Sequence, residues 1–130
     1  LRCNPWIETW CCANPNRVLY GEVFGNVTKM AYGVRNGMRG FLAFDVLHVE
    51  EGRWLSWDEF AAIVPAHQRV PVLYEGPHGG VTAELAEGAS TLAPHVREGF
   101  VVKPRVERSE RRVGRVALKC VGNGYYDKGD

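Results

Sequence analysis

Runs of β-branched and aromatic residues, each interrupted by one or two polar positions, recur four times along the chain. They are VLYGEVFG at 18–25, GFLAFDV at 40–46, EGFVVKP at 98–104 and RVALKCVG at 115–122. Runs of this kind bounded by turn residues predict strands, here over about 17–27, 40–49, 98–104 and 113–121, with a further short strand over 70–75. Turn chemistry supports these divisions. Pro15 between Asn14 and Asn16, the Asn36-Gly37 pair, and Glu51-Gly52 all favour reversal of the chain. Helical spacing is clear in one place: Trp57, Phe60, Ala61 and Val64 line one stripe, and Ser56 followed by Glu59 has the form of a capping box. The spacing predicts a helix over about 57–67 with its stripe in the core, limited at its end by Pro65. Residues 1–16, holding Trp6 and Trp10, predict a short helix and loop, and Thr82–Ala86 a helical turn. Strands outnumber helices and most connections are too short for parallel crossovers. The expected fold class is therefore α+β, a mainly antiparallel sheet with one or two packed helices.

Composition narrows the picture. With 45% hydrophobic and 24% charged residues the chain reads as globular rather than disordered, and its 130 residues suit a single domain. No run approaches the roughly 20 apolar residues of a membrane span, and the start lacks the layout of a signal peptide, so a soluble cytoplasmic protein is expected. Cys3, Cys11, Cys12 and Cys120 have neither C-x-x-C nor zinc-ribbon spacing and are expected to be reduced, partly buried thiols. His48, His67, His78 and His95 form no ligand pattern. The net charge of +1 is unevenly spread: Lys103 to Lys119 holds seven cations against two glutamates, a local +5 that leaves the rest at −4. Such a segment attracts polyanions.

The polar positions inside the strand patterns are the candidate chemistry. Alternation places Tyr20, Glu22 and Phe24 on one face, with Gly21 and Gly25 leaving room on the other. A carboxylate between aromatics suits a ribose hydroxyl. Phe41 and Phe44 fall on opposite faces, and an aromatic at such a place can stack on a nucleobase. Glu98 heads an otherwise apolar strand, which is costly unless it meets a cation or a network of donors. Lys103 has the opposite parity to Glu98, and a bulge at Gly99 would bring the two together; otherwise Lys103 sits on a rim. Lys119 shares its face with Ala117 and Val121, and Arg115 has the same parity four residues earlier. Cations so placed suit phosphate.

The order and wording of the four runs resemble the covalent nucleotidyltransferases, and within them the ATP-dependent RNA ligases. YGEVFG is similar to that family's motif III, FLAFDV to motif IIIa, EGFVVKP to motif IV and ALKCVG to motif V; the spacers VTKMAYG, WLSWDEF and RVPVLYEG agree as well. The resemblance covers nearly the whole chain. It implies an adenylation domain of the ATP-grasp-like nucleotidyltransferase fold, with Glu22 on the ribose, Phe44 (the aromatic before Asp45) on the adenine, and Phe41 left as a core anchor. It places Glu98 near Mg2+ on the ATP phosphates, and Lys119, with Lys103 and Arg115, on the phosphates, Glu98 and Lys119 serving catalysis. The chain departs from the family where motif V usually has two lysines one residue apart. The family's nucleophile is a lysine in a Lys-x-Asp-Gly motif upstream of motif III, whereas the first lysine here is Lys29. Residues 1–130 are thus expected to be the downstream part of one adenylation domain, unable to form lysyl-AMP alone. The implied activity is sealing of 5′-phosphate and 3′-hydroxyl RNA ends through lysyl-AMP and RNA-adenylate. A DNA ligase or capping guanylyltransferase of the same superfamily, or a non-catalytic RNA-binding module, are the alternatives.

Overall fold

The computed structural model describes residues 3–25, 39–87 and 99–122. They group into two compact units, the first comprising residues 1–70 with 105–107 and the second 71–104 with 108–130. The class is α+β, and among the described residues every pairing between strands is antiparallel.

In the first unit, helix α1 (Trp6–Ala13) follows Pro5, a residue suited to a helix start because its missing N–H would have been unsatisfied there. Its end is held by Asn14, whose side-chain amide donates to the Trp10 carbonyl at 2.8 Å while its Oδ1 accepts from Arg17 at 2.7 Å. Strands β1 (Arg17–Gly25) and β2 (Arg39–His48) form a long antiparallel ladder, and β3 (Arg53–Trp54) pairs with the end of β2 through a turn that holds Gly52 at φ 60°. The residues expected to turn at Asn36-Gly37 lie outside the described residues.

Helix α2 (Trp57–Ile63) begins at the expected capping box, with Glu59 Oε1 accepting the Ser56 N–H at 3.1 Å. It ends earlier than the expected 67. Val64 is extended at φ −121° because the ring of Pro65 disfavours helical backbone in the residue before it; a single 3₁₀ turn (Ala66–Gln68) follows. Both ends of α2 are satisfied by distant residues. The Trp57 N–H donates to the Arg105 carbonyl and Ser56 Oγ accepts the Glu107 N–H, each at 2.9 Å. Arg69 donates to the Val64 and Ala61 carbonyls at 2.7 and 3.3 Å, with its guanidinium 5.0 Å from the centre of the Trp57 ring. Backbone groups that a short helix leaves unpaired are thereby closed.

The core of this unit comprises Trp10, Ala43, Val46, Leu55, Phe60 and Val64, with Trp6, Leu19, Phe41, Trp57 and Ile63 packed around it. The predicted stripe of α2 therefore faces inward. Trp10 also donates its indole N–H to the Ile63 carbonyl at 2.8 Å, fixing α1 to the end of α2.

The expected strand at 70–75 does not form. Of that run only Val70 bonds to β2, donating to the Ala43 carbonyl at 2.8 Å beside the isolated bridge of Arg69 with Ala43; Pro71 has no N–H with which to extend it into a ladder. The second unit continues with 3₁₀ turns at His78–Gly80 and Ala83–Ala86, the latter as expected. Strand β4 (Gly99–Val102) pairs with β7 (Leu118–Val121), and a hairpin of β5 (Ser109–Glu110) and β6 (Gly114–Arg115) lies between them in sequence. The predicted strands 98–104 and 113–121 are thus shorter, and the second is split. Val116 donates to the Arg108 carbonyl at 3.1 Å, keeping the chain with β5, and Pro104 cannot extend β4 to meet it.

Arg53 contributes to the acid response of the first unit through two exposed carboxylates. It holds Glu59 in a two-pronged ion pair at 2.9 and 3.0 Å and also pairs with Glu51. These bonds hold both carboxyls below the usual glutamate range, aided at Glu59 by the Ser56 N–H, and push the Arg53 pKa up. A depressed carboxyl pKa stabilises the fold above the unfolded value of about 4.3 and ceases to do so as pH falls through the folded value. Stability should therefore drop between about pH 5 and pH 3, by a small amount because the groups are exposed. All four tryptophans lie in this unit, so urea unfolding followed by tryptophan fluorescence reads it directly. Arg53→Met should flatten the acid dependence; an unchanged pH profile in that variant would refute the assignment.

Candidate nucleotide-handling residues

The β1–β2 ladder positions the first set. Tyr20 lies opposite Asp45, Glu22 opposite Leu42, and Phe24 opposite Gly40, so Tyr20, Glu22 and Phe24 share the face away from the core, as alternation predicts. Glu22 is exposed. Tyr20 meets Trp54 of β3 edge-on, ring centres 4.9 Å apart. On the core face the space at Gly21 is filled: a Cβ there would stand 2.5 Å from the Leu42 carbonyl oxygen and run into the Phe41 ring. Phe41 packs on the core and lies 5.8 Å from Trp6.

Phe44 occupies a feature that alternation does not foresee. The register passes from Tyr20 opposite Asp45 to Gly21 opposite Ala43, which leaves Phe44 as the extra residue of a β-bulge. A bulge re-aims the residues beyond it. Before it Ala43 faces the core, after it Val46 does, and both are fully buried although their spacing is odd. Phe44 itself is 39% exposed, and the neighbouring Asp45 is buried opposite Tyr20. Asp45 was not among the sequence candidates. Its signal was available: a carboxylate inside an apolar run is costly to bury without partners.

The second unit carries the cationic candidates. Val101 pairs with Lys119, and Phe100 with Cys120; Lys119 and Val101 share a face on which Lys119 is exposed and Val101 is 56% exposed. Gly99 to Val102 match Val121 to Leu118 one for one, so the bulge considered at Gly99 is absent from the described ladder. Gly99 instead permits close strand approach, since a Cβ there would lie 2.9 Å from Val121 Cα and press on the Cys120 carbonyl. Lys103 is exposed just beyond the end of β4. Arg115 corrects an expectation: it belongs to β6, paired with Ser109, and is not on the strand of Lys119. The parity that linked the two does not apply across the break at Val116 and Ala117. Glu98 lies outside the described residues.

Among the described residues no three His, Cys, Asp or Glu side chains cluster to hold a metal, and no helix is long and apolar enough to cross a membrane. The four thiols are free, with Cys3, Cys11 and Cys12 exposed and Cys120 half-buried; the expected partial burial thus holds for Cys120 alone.

Comparison with known proteins agrees with the family resemblance of the sequence. A family model described as RNA ligase matches residues 6–121. Among solved structures, the Naegleria gruberi RNA ligase with PPi is 25% identical with a TM-score of 0.71, the match covering 98% of this chain and 39% of that one. A lysine-to-alanine mutant of the same ligase with ATP and Mn is 25% identical, TM-score 0.71, covering 98% and 38%. A glutamate-to-alanine mutant with AMP and Mn is 24% identical, TM-score 0.70, with coverage of 98% and 38%. The chain therefore spans 38–39% of the length of the structures it matches. No curated protein sequence matched.

Proposed function

This chain belongs to the RNA ligase family, and we propose that it is the downstream part of one adenylation domain of an ATP-dependent RNA ligase. The observation that carries this reading is the pairing of the motif-like runs. YGEVFG and FLAFDV are antiparallel neighbours, as are GFVV and LKCV, so each pair of runs, distant in sequence, shares one ladder.

In this reading Glu22 accepts hydrogen bonds from the ribose hydroxyls, and Phe44 stacks on the adenine from its exposed place in the bulge. Lys119, with Lys103 at the rim and Arg115 from the hairpin, contributes positive charge toward the phosphates. Charge-assisted hydrogen bonds of this type are worth about 1.5–3 kcal/mol each and strengthen as charge builds on the α-phosphate oxygens. A divalent ion, Mg2+ in this proposal, would offset phosphate charge. The ion would keep phosphate oxygens and water among its ligands, a habit of magnesium, with Glu98 as the protein ligand. The sealing reaction would join 5′-phosphate and 3′-hydroxyl RNA ends through lysyl-AMP and RNA-adenylate. The nucleophilic lysine would be supplied by sequence other than this chain, which has no lysine before Glu22.

Incubation of the full-length gene product with radiolabelled ATP and Mg2+ should yield a covalent AMP adduct, and the 130-residue chain alone should yield none. Phe44→Leu in the full-length protein should raise the ATP concentration for half-maximal adduct by about 5- to 150-fold, the equivalent of one lost stacking partner at about 1–3 kcal/mol. Failure of the full-length protein to form an adduct would refute the reading.

A further inference from the structure

The hairpin of β5 and β6 has a construction that the nucleotide-handling residues do not explain. Its three-residue loop, Arg111, Arg112 and Val113, is closed by a Val113 N–H bond to the Glu110 carbonyl at 3.3 Å and by Gly114 in the left-handed region at φ 74°. Every residue from Arg108 to Gly114 is exposed, Val113 by 74%. An isolated two-stranded hairpin gains little stability by itself, and this one buries none of those side chains.

The charges are not those of a merely solvated loop, where mixed signs would serve equally well. Arg108 pairs with Glu110 at 3.3 Å, which engages the hairpin's carboxylate. Arg111 and Arg112, at the tip, have no described partner. Two adjacent guanidinium groups on a tight turn can each present a planar fork of donors to a phosphate. They lie within the Lys103–Lys119 segment of charge +5, in a chain otherwise at −4, so attraction for a polyanion is local to this segment. A membrane surface fits less well, because the loop offers Val113 alone as an apolar group where an interfacial element would supply several bulky ones.

We propose that the tip of this hairpin, through Arg111 and Arg112, is a docking surface for the phosphate backbone of RNA, acting in substrate capture and not in handling of ATP. The choice of RNA among polyanions rests on the function proposed above.

The test uses the full-length protein, wild type and the double variants R111A/R112A and R111K/R112K. Binding to fluorescein-labelled, 5′-phosphorylated RNA is measured by anisotropy over a series of salt concentrations, beside covalent labelling with ATP. R111A/R112A should weaken RNA binding roughly tenfold and lower the slope of log affinity against log salt by about 1 to 2, as loss of one or two phosphate contacts demands. R111K/R112K should keep the slope, and adduct formation should be equal in all three proteins. Unchanged RNA affinity and slope in R111A/R112A would overturn the docking surface even where the adduct forms normally, as would a wild type that does not bind RNA. Absence of the adduct from wild type would instead overturn the function proposed above, and the anisotropy slopes would still decide the role of the hairpin.

Discussion

Alanine at Lys119 in the full-length protein is expected to lower AMP-adduct formation and RNA sealing by about two orders of magnitude or more, the usual consequence of removing one group that stabilises charge in the transition state. The substitution is well suited to isolate chemistry from folding. Lys119 is exposed on β7 opposite Val101, and the strand ladder is made by backbone groups that alanine retains. The fold of the variant should therefore match wild type by circular dichroism and melting temperature. Arginine at the same position should recover part of the activity, since it keeps the charge but presents a planar fork in place of a compact ammonium. Wild-type rates in Lys119→Ala would remove this residue from the proposed chemistry; a lost fold would show that its role is structural.

The largest expected effect on stability is at Trp10. Trp10→Ala should cost about 3–5 kcal/mol, the range for truncating a large buried aromatic, out of a total that for most domains is only about 5–15 kcal/mol. Two separate contributions are lost. The indole is buried in the cluster with Ala43, Val46, Leu55, Phe60 and Val64, and its N–H donates to the Ile63 carbonyl at 2.8 Å. Trp10→Phe separates them, because it retains most of the apolar volume and loses the donor; a cost nearer 1–2 kcal/mol is expected from a lost hydrogen bond with partial repacking. Urea midpoints of the three proteins give the comparison. Equal midpoints for wild type and Trp10→Ala would show that α1 is not integral to this unit.

The pattern of the sequence conveyed the elements that rest on local chemistry. The start of α2 was legible because Ser56 and Glu59 close a box within four residues, and its inward stripe because Trp57, Phe60, Ala61 and Val64 keep helical spacing. Its true end was also written locally, in Pro65, although the restriction falls one residue before the proline and the expected helix ran past it. Features set by partners far away in sequence were not legible. Residues 113–121 read as one strand, yet Val116 bonds to Arg108, and nothing in the apolar run marks that competition. β5 has only two residues, Ser109 and Glu110, too few and too polar to show a period. Among the candidate residues, the shared face of Tyr20, Glu22 and Phe24 followed from alternation alone. The place of Phe44 did not, since a bulge in β2 depends on its register with β1.

That bulge has a consequence for how this segment tolerates change. As far as folding is concerned, position 44 should accept a range of side chains, because none is needed there to pair with β1 and the residue meets solvent; the demand for an aromatic comes from the proposed adenine stacking alone. Removing the residue should also be tolerated by the sheet: Ala43 and Val46 would then stand two apart, the regular spacing for one face, with Gly21 and Leu19 still their partners. The extra residue is thus dispensable to the pleat, and what it adds to this stretch is one outward side chain.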